Sequence, residues 1–212
     1  MADAPRLMVV RHGRHDWLMP PINRFAGRLP GVHLNASGRA EVEALACHLE
    51  GAPPDRIVSS PLDRTMETAS MIGERVGRSV STDDRLLEAG LGPWEGMPVH
   101  EVIARHPAEW ETWRTVPSQM AVPGIEPVEA IANRMAQCAR EWIGHGGVTM
   151  LVSHQDPILA LVCRLLELPP DAMRRMDISP ASLTVFEFVD GTPVLLMLNA
   201  VAPLRPARPG RQ

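Results

Sequence analysis

The chain has 212 residues, 45% of them hydrophobic and 22% charged, which predicts one folded domain with a full-sized core and excludes a disordered chain. The net charge of -4 excludes a general basic field for nucleic acid, and no apolar run reaches the roughly 18 residues of a membrane span. All 21 basic residues are arginine, so lysine takes no catalytic or binding role.

The beginning of the chain and its cysteines predict the compartment. The N-terminus lacks the basic and apolar segments of a secretory signal. The three cysteines stand far apart in apolar helical contexts, which is typical of core thiols in a reducing compartment. We therefore expect a cytoplasmic protein that binds neither membrane nor nucleic acid, and assembly into a homodimer is left open.

Strands alternate with helices along most of the chain. Short apolar runs predict strands at residues 7–10, 57–58, 80 and 148–152. Helical spacing of apolar residues predicts helices at residues 37–50, 61–76, 126–143 and 156–168. We expect Pro61 near the start of the second helix, and Asp156 as the N-cap of the last helix with Pro157 at its first position.

The late part of the chain predicts a hairpin. Residues 183–189 and 194–198 are apolar runs on either side of a turn sequence, Asp190-Gly191-Thr192-Pro193. Together these elements predict an α/β fold, a three-layer α/β/α sandwich with a mostly parallel central sheet and a late antiparallel hairpin. We expect a single domain over residues 1–202, an excursion over residues 85–125 near the active site, and a disordered tail over residues 203–212.

Charged and imidazole side chains follow the predicted strands. Arg11 and His12 end the first strand, Arg64 lies in the first turn of the helix after the second, and His154 follows the fourth. Glu88 lies on a loop of the 85–125 excursion. Because the carboxyl ends of parallel strands share one edge of a sheet, we expect these five side chains to converge.

This combination of residues suits a phosphoryl group. Arginine guanidiniums, a second imidazole and helix N-termini form a dense anion site. Within it a neutral His12 can act as a nucleophile, and a phosphohistidine divides one difficult hydrolysis into two steps. Glu88 is the candidate general acid for the leaving oxygen, since a nearby phosphate dianion raises the pKa of a carboxyl. Neighbouring Glu95 is expected to support the turn around Trp94.

Four segments together resemble the histidine phosphatase superfamily, also called the phosphoglycerate-mutase-like family. They are Val-Val-Arg-His-Gly, Ser-Ser-Pro-Leu-Asp-Arg-Thr-Met-Glu-Thr-Ala, Leu-Glu-Ala-Gly-Leu-Gly-Pro-Trp-Glu-Gly and Leu-Val-Ser-His, in the family's order. The resemblance implies that His12 is phosphorylated and that Glu88 is the general acid. It also implies that Arg11, Arg64 and His154 bind the phosphoryl group, with no metal and no other cofactor.

The chain departs from the family pattern around the pocket. His15 and Leu18 stand where the family often has threonine and asparagine, and Asn23 is a candidate to replace the lost contact. Gln155 replaces the glycine that usually follows the second histidine, which would narrow the pocket mouth. The candidate substrate-binding residues are Arg14, Asn23, Arg24 and Gln155.

The sequence therefore predicts a phosphomonoester hydrolase that acts on a small phosphorylated metabolite. A phosphoglycerate mutase is the alternative, disfavoured because the lysine and tyrosine of that branch are absent from this chain. A non-catalytic phosphate-binding protein on the same fold is another alternative, and a metal-dependent hydrolase is a third. We expect no metal, because His12 and His15 have no carboxylate or cysteine in the sequence nearby to complete a ligand set.

Overall fold

The computed structural model describes residues 4–203, and six strands within them form one mixed sheet. The strands are β1 (Arg6–Arg11), β2 (Arg56–Ser59), β3 (Val80–Thr82), β4 (Val148–Ser153), β5 (Ser182–Val189) and β6 (Thr192–Val201). Their order across the sheet is β3-β2-β4-β1-β5-β6. The first four are mutually parallel, whereas β5 runs antiparallel to β1 and to β6. The predicted parallel sheet and late hairpin are confirmed.

Helices cover both faces of the sheet, which confirms the predicted three layers. They are α1 (Ala36–Leu49), α2 (Asp63–Val76), α3 (Val99–Arg105), α4 (Pro107–Thr115), α5 (Val128–Ile143) and α6 (Gln155–Leu165). Helices α1 and α2 share a core cluster with one face of the sheet, and α5 and α6 share a second cluster with the other face. Alternation along β1 explains why both faces are apolar: Leu7 and Val9 join one cluster, whereas Met8 and Val10 join the other.

Three helices begin later or earlier than the sequence predicts. Helix α2 begins at Asp63, so Pro61 precedes it, because Leu62 is still extended at the N-cap. Helix α5 begins at Val128 rather than at residue 126, after an extended proline N-cap. Helix α6 already begins at Gln155.

The prediction that Asp156 caps α6 is wrong. The N-cap residue is His154, and Asp156 lies inside the first turn. Its carboxylate Oδ1 accepts a hydrogen bond from Arg174 Nη1 at 2.6 Å, so the side chain points away from the helix end and toward another part of the fold.

The 85–125 excursion folds over the carboxyl edge of the sheet. It contains α3 and α4 together with short 3-10 turns at Asp84–Leu86, Gly92–Trp94 and Pro117–Gln119. Trp94 is fully buried beneath it, in contact with Phe25 of the earlier loop, with 5.8 Å between ring centroids. The excursion thereby forms one wall above the strand ends.

Two further sequence predictions concern exposure and the tail. Cys138 and Cys163 are buried as expected, but Cys47 is only half-buried, because it lies toward the solvent side of α1.

The disordered tail predicted for residues 203–212 lies outside the described residues from position 204 onward. None of the helices within residues 4–203 has the length and apolar character needed to cross a membrane.

Candidate active site

Neighbouring strands bring two histidines together at the carboxyl edge of the sheet. Strands β1 and β4 pair in parallel with Arg11 opposite Ser153, so the next residues, His12 and His154, leave the sheet side by side. Their ring centroids lie 5.2 Å apart, and both side chains are buried. The predicted convergence of these two residues is what the strand register produces.

The backbone fixes the tautomer of His12. Its Nδ1 lies 2.8 Å from the carbonyl oxygen of Gly13, which can only accept, so Nδ1 carries the proton and Nε2 keeps its lone pair. Burial, reinforced by the charges of Arg64 and Arg11, holds the pKa of His12 well below its ordinary value. His12 is therefore a neutral imidazole with Nε2 available as a nucleophile.

The His154 ring is held in place through its Nε2 nitrogen. Its Nε2 lies 2.9 Å from the hydroxyl of Ser60, which in turn accepts a long hydrogen bond of 3.5 Å from the Leu62 N–H. The other ring nitrogen, Nδ1, has no hydrogen-bond partner within residues 4–203 and lies 3.8 Å from a carboxylate oxygen of Glu88. Burial, followed by the charge of Arg64, keeps the pKa of His154 well below its ordinary value, so the ring is neutral.

Two buried guanidiniums flank these histidines. Arg64 is 1% exposed, and a hydrogen bond of 2.7 Å from its Nη2 to the carbonyl of Gly27 holds it. Arg11 is 7% exposed and is held by a hydrogen bond of 2.5 Å to the carbonyl of Ile178. Arg11 Nε, Arg64 Nε and Arg64 Nη1 have no hydrogen-bond partner within residues 4–203. Buried cationic donors of this kind are suited to an oxyanion with several acceptor atoms.

Glu88 completes the cluster from the 85–125 excursion. One carboxylate oxygen accepts from the Ala89 N–H at 2.9 Å, and the other lies 3.8 Å from His154 Nδ1. Burial, together with the negative charge of Asp156, raises the pKa of Glu88 to about 7, although the charge of Arg64 opposes the shift. A carboxyl with this pKa can hold a proton near neutrality and release it to a leaving group.

The sequence argument against a metal site has a wrong premise. His12, Glu88 and His154 offer ligand atoms that all lie within 4.8 Å of one another, so a carboxylate does join two histidines. The charges nevertheless favour an anion, because the guanidiniums of Arg11 and Arg64 face the same space and would repel a metal cation.

A cavity of about 230 Å³ opens above Arg11, His12, Arg64 and Glu88, whereas His154 is fully buried beside them and does not line it. Of the predicted substrate-binding residues, Asn23, Arg24 and Gln155 line it. Arg14 is not in its lining, because its guanidinium instead pairs with Glu41 at 3.0 Å on the outer side of α1. Glu95 stays outside as expected, accepting from the Leu91 N–H at 3.1 Å within its own turn.

Four further residues of the cavity lining carry charged, imidazole or indole side chains, and the sequence analysis gave them no role in binding. They are His15, Trp113, Asp156 and Arg174. His15 was noted only as a departure from the family pattern, yet its ring lies 5.2 Å from that of His12, and burial lowers its pKa to about 3. Trp113 showed only a helical apolar pattern. Arg174 has no motif around it, and only the tertiary fold brings it to the site.

The site combines neutral histidines with buried arginines at the edge of a six-stranded α/β sandwich, which is the chemistry of a phosphate-binding protein. The sequence profile of the histidine phosphatase superfamily (branch 1) matches residues 7–201 of this chain. The chain belongs to this superfamily.

Individual relatives place the chain within the superfamily. Phosphoserine phosphatase 1 of Hydrogenobacter thermophilus is 31% identical over 199 residues, covering 92% of this chain and 92% of that protein. A 2,3-bisphosphoglycerate-dependent phosphoglycerate mutase of Thermoplasma acidophilum is 28% identical over 206 residues, 92% of each chain. The native structure of a mycobacterial glucosyl-3-phosphoglycerate phosphatase matches with a TM-score of 0.83 and 30% identity, over 93% of this chain and 99% of that one.

Proposed function

We propose that the chain is a phosphomonoesterase that hydrolyses a small phosphorylated metabolite through a phosphohistidine at His12. The observation that carries this proposal is the hydrogen bond from His12 Nδ1 to the Gly13 carbonyl, beside buried guanidiniums with unpaired N–H groups. It supplies a nucleophile with a defined lone pair, within a cradle for the phosphoryl oxygens.

The residues divide the work in two steps. In the first, His12 Nε2 forms a bond to phosphorus while the ester P–O bond breaks, and Glu88 gives its proton to the departing oxygen. In the second, Glu88 takes a proton from water as that water attacks the phosphohistidine, which releases inorganic phosphate and restores His12. Arg11, Arg64 and His154 stabilise the charge on the phosphoryl oxygens throughout.

The relatives support this class of substrate. Phosphoserine and glucosyl-3-phosphoglycerate, the compounds in two of their names, are both phosphomonoesters that also carry a carboxylate. The mutase relative supports phosphoryl transfer to a second acceptor as the alternative function. We favour the phosphatase because this chain contains neither the lysine nor the tyrosine of the mutase branch. The cavity of about 230 Å³ is small beside ligand pockets of about 300–1,000 Å³, which suits a compact ester in either case.

A trapping experiment tests the nucleophile. Rapid acid-free quenching during turnover of a radiolabelled phosphomonoester is expected to yield acid-labile phosphate on His12. His12→Ala is expected to lower kcat by at least about a thousandfold, the scale seen when a nucleophile is removed. The matched control is His48→Ala, which removes an exposed histidine in the last turn of α1 and is expected to leave kcat unchanged. Turnover in His12→Ala within tenfold of the unaltered protein would exclude the covalent mechanism.

A further inference from the structure

A second polar pair lies in the cavity beside the phosphoryl cradle. Arg174, from the 3-10 turn Pro170–Arg175, donates from Nη1 to Asp156 Oδ1 at 2.6 Å and from Nε to the Trp113 carbonyl at 3.0 Å. Its guanidinium also lies over the Trp113 ring, with 4.5 Å to the centroid. Both charged side chains are only 16% exposed. The pair is therefore held rigidly in the cavity wall.

Each member of the pair has hydrogen-bonding capacity left over. Arg174 Nη2 is buried and finds no acceptor in the described part of the chain. Within the same residues, the one hydrogen bond to the Asp156 side chain uses Oδ1, which leaves Oδ2 as an acceptor. The pair thus offers a cationic donor beside an anionic acceptor on one wall of the cavity that holds His12.

The proposed phosphatase mechanism does not account for this pair. The phosphoryl oxygens already have Arg11, Arg64 and His154, and an additional carboxylate close to a phosphate dianion opposes binding. The negative charge of Asp156 also raises the pKa of Glu88, so the two carboxyl groups are close enough to interact electrostatically. Arg174 neutralises part of this carboxylate's charge at Oδ1, and a ligand that brings a positive charge to Oδ2 would neutralise the rest.

On the basis of the proposed function, we propose that Arg174 and Asp156 form a leaving-group subsite for a phosphorylated α-amino acid. Arg174 Nη2 would bind the α-carboxylate, and Asp156 Oδ2 would bind the α-ammonium. An α-amino acid places its two opposite charges on one carbon, which matches a donor and an acceptor already joined by a hydrogen bond. A leaving group with a carboxylate and no ammonium satisfies Arg174 but leaves Asp156 opposed to the negative charge of the ligand.

Two substrates that differ at one position test the role of Asp156. O-phosphoserine and 3-phosphoglycerate are alike except that an ammonium in the first is a hydroxyl in the second. The unaltered protein is expected to favour O-phosphoserine at least tenfold in kcat/KM. Asp156→Asn, which removes the charge and keeps the shape, is expected to reduce that preference at least tenfold. The ratio is informative because any effect of the substitution on Glu88 acts on both substrates alike.

A second pair tests Arg174 in the same way. O-phosphoethanolamine has the ammonium of O-phosphoserine without its carboxylate. Arg174→Gln is expected to lower the kcat/KM ratio of O-phosphoserine to O-phosphoethanolamine at least tenfold. The matched control is Arg175→Gln, since Arg175 is the exposed neighbour in the same turn, and this ratio is expected to stay unchanged there.

Binding separates failure of this inference from failure of the proposed function. In a His12→Ala background, calorimetry measures the Kd of O-phosphoserine and of 3-phosphoglycerate without turnover. If the unaltered protein hydrolyses aryl phosphates and both ratios are insensitive to Asp156→Asn and Arg174→Gln, the subsite is wrong and the phosphatase stands. If no phosphomonoester is hydrolysed but the Kd ratio still depends on Asp156, the subsite stands and the catalytic proposal is wrong.

Discussion

Glu88 is the residue whose ionisation decides when the site is ready to react. His12 and His154 are both neutral over the physiological range, because burial and the arginines keep their pKa values low. Glu88 has the opposite shift, to a pKa of about 7, and as a general acid it works only when protonated. Loss of activity at alkaline pH is therefore assigned to deprotonation of Glu88. The low pKa of His12 keeps the nucleophile unprotonated at acidic pH.

The first prediction concerns this alkaline limb. For an alkyl phosphate, kcat/KM is expected to fall as pH rises through about 7, because the proton on Glu88 is lost. For an activated aryl phosphate, whose oxygen leaves without protonation, the fall is expected to be small. The two substrates are compared from pH 7 upward, where the phosphate groups of both are already mostly dianions, because the second pKa of such esters is about 6 or lower.

Glu88→Gln provides the corresponding variant. It is expected to lower kcat for the alkyl ester by about 10²–10⁴-fold and to abolish its alkaline limb, while the aryl ester loses much less. Glu74→Gln, at an exposed position on α2, serves as the control with unchanged rates. Equal losses on both esters would mean that another group donates the proton.

At the level of elements, the end of β1 depends on its close approach to α1. A Cβ on Gly13 would lie 2.7 Å from the carbonyl oxygen of Gly38, and a Cβ on Gly38 would lie 2.0 Å from that of Arg14. Gly13 follows the nucleophile directly and its carbonyl fixes the His12 tautomer. The contact between these glycines thus sets the position of the reacting imidazole.

Gly38→Ala tests this contact. Alanine is favoured over glycine inside a helix by about 1 kcal/mol, yet here we expect a loss of about 1–3 kcal/mol, because α1 must move away from backbone that cannot yield. Denaturant unfolding measures the free energy, and Ser37→Ala, at the exposed neighbouring position, is the control within about 0.5 kcal/mol. A stabilised Gly38→Ala would show that the two segments are free to separate.

The elements also show what the sequence could and could not predict. The strands were predictable because apolar runs such as Leu7–Val10 are buried on both faces. Their mostly parallel arrangement was predictable because helices alternate with them. The start of α6 could not be predicted, because Asp156 before Pro157 has the sequence pattern of an N-cap. In the structure the Asp156 side chain instead binds Arg174, which comes from a turn distant in the sequence. The cavity wall could not be predicted either, because Trp113 and Arg174 are far apart in the sequence and come into contact only in the tertiary fold.

At the scale of the whole molecule, two core clusters hold the sheet between helices and keep its carboxyl edge rigid. That rigidity maintains Arg11 and Arg64 in a buried position where part of each guanidinium meets no protein acceptor among the described residues. A phosphate ion supplies several acceptors at once. The folded protein is therefore expected to bind inorganic phosphate, which is also what the proposed reaction releases.

This arrangement makes the phosphate released by the proposed reaction a ligand of the same guanidiniums as the substrate. Inorganic phosphate is expected to inhibit competitively and to raise the melting temperature, since a ligand at a hundred times its Kd adds about 2.7 kcal/mol to stability. Thermal unfolding in phosphate and in sodium chloride of equal ionic strength measures the effect, and equal melting temperatures would contradict it. In a phosphate-rich medium the resting form is then expected to be the phosphate complex, and a substrate has to displace phosphate before it can react.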